Sequence, residues 1–382
     1  MHILYVMGQD SGGLPHYTAE LANAVAQYAD VTVLKATETS ADDLFESQVE
    51  VIEVFEPTDI SMQNIFKLNF NIKKNLAGIL SYRNIKVAKS VDPDIIHDPT
   101  DEFPYVSFFA YIGDIYKNKP YVITSHEVEH GSAGGILKIA DAIDSVIPDF
   151  PKAAAVVHSE NQRDVLLSQN RNIESVYVIP HGVYTFFTKF DHPEPAEDPS
   201  HALFFGSLIP PKGLETLVRA LPSIIAEIPD FTLTIAGDGT VPNPDSLIDE
   251  YEDHITIRNQ FIPNDEVGQL FSRASVIVLP YRSGWQTGHS GSLSTAFAFG
   301  KPVVTTDVGD FQQMVGDSGA GVVVEPDDPD ALAQAVVRVL TDESKRRKMA
   351  DASAKIAEEL SWENIGKRHI EMYHEILNER QT

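Results

Sequence analysis

Between Gly284 and Asp310 the chain reads GWQTGHSGSLSTAFAFGKPVVTTDVGD, a run whose residue types suit the binding of an anion. A helix starting near Ser290 leaves the amide N–H groups of Gly291, Ser292 and Leu293 without intrahelical acceptors, and Ser290 is a natural N-cap. Glycines let a phosphate approach the backbone closely, and the helix dipole favours negative charge by about 0.3–1 kcal/mol. The competing reading is a buried helix whose small residues only permit tight packing on a sheet. A second cluster, HEVEH at His126–His130, matches H-E-x-x-H, in which two histidines one helical turn apart hold zinc and the glutamate acts as a base. Its context argues against that chemistry, because it follows the strand-like YVITS and runs into GSAGG rather than continuing a helix. Asp327, Asp328 and Asp330 resemble a metal-binding run, but a solvated turn before a helix accounts for them, and no metal is expected.

The elements around these residues must position them. SVIVLPY precedes the anion loop as an apolar strand, and Val303–Thr306 follows the Gly300–Pro302 turn as another. The loop therefore falls at the carboxyl end of a parallel strand, where open α/β sheets bind their ligands. The same alternation runs through the chain. In the first half HILYV, VTVLKA, VEVIEV, DIIH, YVITS, AAAVVH and VYVIP read as strands, with helices expected near 16–28 and 106–116. In the second half HALFFG, FTLTIAG, ITIR, SVIVLP, PVVTT and GVVVEP alternate with helices near 213–228, 265–274 and 330–340, and 343–377 is helical with a break near Ser361. Such alternation implies parallel sheets covered on both faces. The segment TFFTKFDHPEPAEDPS, rich in proline and acid, reads as a linker. The expected class is thus α/β, with two Rossmann-like domains at 1–185 and 201–360 facing across a cleft, a linker at 186–200 and a terminal helix at 361–382. GQDSGGLPHY places Gly12 and Gly13 between a strand and a helix without the full G-x-G-x-x-G spacing, so it does not point to a dinucleotide cofactor.

A length of 382 residues fits two domains rather than one core. No run of eighteen apolar residues occurs and Met1 leads directly into HILYV, so a cytoplasmic protein is expected. The absence of cysteine excludes disulfides, thiolate metal sites and a cysteine nucleophile. A net charge of −27 argues against a nucleic-acid partner, since phosphates would be repelled by most of the surface. One segment runs against that balance: between Asp59 and Asp92 there is no acidic residue, while Lys67, Lys73, Lys74, Arg83, Lys86 and Lys89 are basic.

FFGSLIPPKGLETLVRALP, LTIAGDG, NQFIPNDEV, ASVIVLPY, FAFGKPVVTTDVG and VEPDDPDALAQAV, in that order, resemble the donor domain of family 4 glycosyltransferases (glycosyl transferases group 1). SGGLPHYTAELANAVA, IIHDP, ITSHE, VVHSE and VIPHGV extend the likeness through the first half, and SWENIGKRHIEMYHEIL resembles the family's closing helix, which crosses back to the first domain. The resemblance implies a GT-B fold and a metal-independent, retaining hexosyltransferase with no cofactor. The donor is a nucleotide-diphosphate sugar and the acceptor a hydroxyl, lipid-linked in many relatives. It assigns the donor diphosphate to Gly12, Gly13, Ser290, Gly291, Ser292 and Leu293, with Lys212 of the K-G motif neutralising charge.

Departures from the family pattern bear on the sugar. Ser207 stands where an arginine is usual, with Arg282 as a potential replacement cation. The family's two glutamates, eight positions apart, fall at Thr287 and Thr295, so the donor sugar and the ribose are assigned to those threonines and to His289. A threonine hydroxyl holds a sugar more weakly than a carboxylate does. Some relatives with the same SG-x-L-x-T-A-x-A-F-G-K-P-V pattern also lack both glutamates. His126 matches a family histidine near sugar and acceptor, and is assigned with Lys212 to catalysis; the plain alternative is a satisfied histidine at a strand end. His16 is assigned to the acceptor and His181 to the hinge. Residues 61–90 are expected to contain an amphipathic helix that rests on an anionic membrane, or else an ordinary helix with a solvated basic face. The rival to an enzyme is a catalytically silent GT-B protein that binds a nucleotide-sugar or serves as a scaffold.

Overall fold

The computed structural model describes residues 1–58, 72–101, 104–126, 128, 149–169, 171–190, 196–284 and 290–380. Every expected strand run forms a strand. His2–Val6 (β1), Asp30–Ala36 (β2), Val49–Phe55 (β3), Ile95–Asp98 (β4), Tyr121–Thr124 (β5), Lys152–Val157 (β6) and Ile173–Val178 (β7) make one parallel sheet ordered β3-β2-β1-β4-β5-β6-β7. His201–Phe205 (β8), Thr232–Gly237 (β9), Ile255–Asn259 (β10), Val276–Leu279 (β11), Val303–Thr306 (β12) and Gly321–Val324 (β13) make a second, ordered β10-β9-β8-β11-β12-β13. In each sheet the order reverses beside the first strand: Ile3 pairs with Val31 on one side and Ile95 on the other, and Leu203 with Thr234 on one side and Ile277 on the other. That reversal is the switch point at which such sheets accept ligands. Contacts divide the chain into Met1–Gly182 with Trp362–Thr382, and Val183–Ser361.

Central parallel strands are buried on both faces, which is why Ile3–Val6, Ala153–Val157 and Val276–Leu279 are continuous apolar runs and fully buried. In the second unit, Leu217, Leu221 and Ile224 of the Leu214–Glu227 helix pack on the sheet with Leu332, Val336 and Val339 of the Pro329–Thr341 helix. Each set is spaced at i, i+4, i+7, the apolar stripe of a surface helix. In the first unit the Trp362–Glu379 helix lies close to Gly13–Val25, where a Cβ on Gly366 would stand 2.8 Å from the Ala24 Cβ. Tyr373 ties that helix to the sheet: its hydroxyl lies 2.6 Å from His97 Nδ1 and 3.0 Å from the Tyr5 hydroxyl.

Three helices differ from expectation, one of them the helix expected near 106–116, which runs Pro104–Ile112 and stops at Gly113. The chain's first helix begins at Gly13 rather than near His16, because Gly12 turns the chain at φ +87° and Pro15, which lacks an N–H, is harmless in a first turn. The Glu160–Ser168 helix was not expected, since ENQRDVLLS carries no apolar stripe; Ser159 caps it by accepting from the Gln162 N–H. Among the described residues no helix is long and apolar enough to cross a membrane.

Candidate active site

The anion loop ends where the sequence puts it. Ser290 caps the Gly291–Ala298 helix, its Oγ accepting from the Leu293 N–H at 3.3 Å. A Cβ at 291 would stand 3.2 Å from the Tyr184 ring, a tight contact that the ring would have to yield to. Lys212 reaches the same point from a different loop. Pro210–Lys212 forms a tight turn, and Gly213 then takes φ +69° to start the Leu214–Glu227 helix. This turn docks on the segment after β11, with the Arg282 N–H donating to Pro211 O at 2.9 Å. The half-buried Lys212 thereby places its Nζ against the Tyr281 hydroxyl and 4.0 Å from the centre of that ring. Tyr281 Oη in turn lies 2.8 Å from Ser290 Oγ. A cation, a phenol and a helix cap form one hydrogen-bonded chain, and the phenol is the only polar partner of the Lys212 side chain among the described residues.

The remaining donor-side residues divide. The Ser292 hydroxyl donates to Phe205 O at 2.7 Å and so is turned toward the sheet. Thr295, 1 % exposed, donates to Gly291 O at 2.9 Å. The Leu293 amide, expected to be open to a phosphate, is held by the cap, which must release it before a ligand takes it. Thr287 and His289 lie outside the described residues. Arg282 pairs with Asp327 at 3.0 Å on the surface rather than joining Lys212. Asp328 caps the Pro329–Thr341 helix by accepting from the Ala331 N–H at 2.9 Å, so this acidic run does structural work. Ser207, in place of the usual arginine, is exposed.

In the first unit His16 Nδ1 donates back to Gly12 O at 2.7 Å, fixing the glycine turn. His126 is buried, with Nε2 2.9 Å from Pro99 O and Nδ1 3.0 Å from His158 Nε2. Tyr17 packs edge-on to it, with ring centres 4.5 Å apart, and also contacts His181 and Trp362. Glu127 and His130, needed for the zinc reading of HEVEH, lie outside the described residues. Among the described residues no group of three or more His, Asp or Glu is placed to hold a metal ion.

Sequence reasoning missed Asp98. Burial pushes its carboxyl up to about 7, with Asp101 adding to the rise and hydrogen bonds from Thr100 opposing it. It accepts from the Thr100 N–H and Oγ1, both at 3.0 Å, while Thr100 Oγ1 accepts from the Gly8 N–H at 3.1 Å. It thus ties the loop after β4 to the glycine loop after β1. Burial also drives His97 well below the usual imidazole value, with His369 and His126 contributing. The signal for both residues lay in IIHDP, where polar residues end a buried strand.

Two parallel Rossmann-like sheets, each with its own switch point, define a two-unit α/β protein. Residues 199–342 match the family described as Glycosyl transferases group 1. The chain is 26 % identical over 386 residues to a glycogen synthase of Mycobacterium tuberculosis, covering 95 % of this chain and 91 % of that one. A sucrose-phosphate synthase of Thermosynechococcus elongatus superposes with a TM-score of 0.70 at 19 % identity, over 99 % of this chain and all (100 %) of the other. HepE of Anabaena, solved with UDP and glucose, superposes with a TM-score of 0.69 at 18 % identity, over 98 % and 100 % of the two chains. These likenesses show a GT-B fold, and the match to the group 1 family lies in the second unit.

Proposed function

We propose that the chain is a retaining glycosyltransferase that moves a hexose from a nucleotide-diphosphate sugar to a hydroxyl acceptor in glycan synthesis. The observation that carries this reading is the Lys212–Tyr281–Ser290 chain. A lysine with no carboxylate partner among the described residues, joined to the positive end of a helix, is electrostatically unfavourable alone and favourable around a diphosphate. As the bond from the anomeric carbon to the phosphate oxygen breaks, charge builds on that oxygen. A fixed cation and fixed amides then stabilise the transition state more than the ground state. The acceptor hydroxyl attacks the anomeric carbon on the face the diphosphate leaves, and its proton passes to the departing phosphate. Retention on this path needs no protein nucleophile, and Lys212 with the helix amides supplies the charge a metal would otherwise provide. In this reading Gly12, Gly13 and His16 serve the first-unit side of the reaction, and Thr287 and His289 the sugar and ribose. His126 and Thr295 are buried, with their polar atoms bonded to Pro99 O and His158 and to Gly291 O, and act by shaping the site.

UDP is the first nucleotide to test, because HepE was solved with it. A thermal-shift panel of UDP-, GDP- and ADP-sugars is expected to give one clear upward shift. Ligand at 100 times its Kd adds about 2.7 kcal/mol, which moves the midpoint by several degrees. No shift with any nucleotide would remove the donor site. A silent nucleotide-sugar binder is the second reading, favoured by the inward-turned Thr295 hydroxyl; binding without transfer or hydrolysis would select it.

We also infer that the acceptor is lipid-linked and that the first unit meets an anionic membrane. The Ile72–Ser81 helix buries Asn75 and Gly78 while Leu76 and Leu80 stand 54 % and 48 % exposed beside the exposed Lys73 and Lys74. Phe108 and Ile112 on the Pro104–Ile112 helix are 39 % and 50 % exposed. Each basic residue near an anionic surface contributes about 1 kcal/mol. Lys73→Glu with Lys74→Glu is expected to lower flotation with phosphatidylglycerol vesicles severalfold. Equal flotation of variant and parent, or none by either, would remove the idea.

A further inference from the structure

The strand that delivers Tyr281 leaves its sheet in an unusual way. The ladder between β11 and β12 ends at the Leu279–Thr305 pair, and the next residue, Pro280, has no N–H to offer. Past that point the carbonyls of Leu279 and Tyr281 have no ladder partner, yet both are satisfied. Leu279 O accepts from the Thr305 hydroxyl at 2.8 Å and from the Tyr281 N–H at 3.0 Å, and Tyr281 O accepts from the Thr306 hydroxyl at 2.6 Å. A carbonyl oxygen only accepts, so each threonine hydroxyl must be the donor. Both threonines are buried, so solvent cannot take over either bond. Two side chains thus continue the sheet where the backbone can no longer do so. Tyr281 is held at each of its polar atoms: the N–H on Leu279, the carbonyl on Thr306, and the hydroxyl between Lys212 Nζ and Ser290 Oγ. Its ring centre lies 5.1 Å from that of Phe311. Among the described residues the Thr306 bond alone ties the Tyr281 backbone to a different strand.

We propose that Thr306 is a positioning residue for Tyr281: by donating to the Tyr281 carbonyl it sets where that residue leaves the sheet, and so where its phenol meets Lys212 and the helix cap. A stiff ring carries any backbone shift out to its hydroxyl, and a misplacement of about 1 Å is enough to lose the geometry on which a preorganised site depends. The consequence for sugar transfer rests on the donor site proposed above; the placement of Tyr281 does not.

Thr306→Val keeps the shape of the side chain and removes its donor, whereas Thr306→Ser keeps the donor. Placement is read from the ¹⁹F resonance of Tyr281 in fluorotyrosine-labelled protein without nucleotide, assigned by its disappearance in Tyr281→Phe. That resonance is expected to shift in Thr306→Val and to return to the parent position in Thr306→Ser. Function is read as kcat for sugar transfer. It is expected to fall about tenfold in Thr306→Val, to recover in Thr306→Ser, and to fall by less than about twofold when Thr306→Val is added to Tyr281→Phe. A threonine that served only the fold would slow both backgrounds by the same factor. Such additivity overturns the proposal, as does an unmoved Tyr281 resonance in Thr306→Val. Thr306→Ala carries the same expectations and decides the matter where the valine variant does not fold. A shifted resonance with parent-level transfer by both Thr306→Val and Tyr281→Phe would instead sink the role of the Lys212–Tyr281–Ser290 chain in the donor site and leave the placement intact.

Discussion

Replacing Lys212 by alanine is expected to lower kcat for sugar transfer by roughly 10²- to 10³-fold, the effect of removing one preorganised donor from a site where charge develops. The loss falls mainly on kcat because the diphosphate carries more charge in the transition state than in the bound donor. Stability should hold or rise slightly. Lys212 is half-buried and bonded only to the Tyr281 hydroxyl among the described residues, so its removal strands no carboxylate and relieves the repulsion between a cation and a helix start. Tyr281→Phe separates two parts of this argument. It keeps the ring over which the lysine lies but cuts the link to Ser290. A loss of about tenfold is expected there, since the cation remains but is less well fixed. A Lys212→Ala protein that turns over within a factor of three of the parent would show that the diphosphate is neutralised elsewhere.

The site was legible to different depths. Ser290 and Gly291 could be read because S-G-S after VIVLPY is a local signal: a cap and a small residue at a strand-to-helix turn. The strands could be read for the same reason, since a central parallel strand has to be apolar on both faces. Tyr281 could not, because a tyrosine closing a strand has many uses, and its role depends on a lysine 69 residues away. Direction was equally hidden. Thr295 stands at the position expected, yet its hydroxyl is spent on Gly291 O, a choice made by burial rather than by spacing. His126 and His158 sit after neighbouring parallel strands, β5 and β6, so sheet pairing brings together side chains that sequence separates by 32 positions. The Glu160–Ser168 helix went unread because its stability comes from Ser159, Gln162 and Leu166 rather than from an apolar stripe.

Gly213→Ala is expected to be a strongly damaging single-methyl change, and it tests whether the K-G turn is a structural device as well as a carrier of charge. A Cβ at 213 would lie 1.7 Å from Pro280 O, a backbone atom that cannot swing aside, and φ is +69°. Left-handed geometry alone costs roughly 1–2 kcal/mol for a residue with a side chain. The clash adds a forced displacement, bringing the expected destabilisation to about 3–5 kcal/mol and a fall in Tm of roughly 10 °C. Gly319→Ala is the control, since φ there is +78° but no atom stands within 4 Å of the added carbon. It should lose only the conformational part. The contrast bears on function because the segment that would move, Pro280–Tyr281, carries the hydroxyl that links Lys212 to Ser290. Folded Gly213→Ala protein at low temperature should therefore bind nucleotide-sugar more weakly than the parent, while Gly319→Ala binds it normally. If the two variants melt alike, the close approach of the two loops is not what requires glycine at 213.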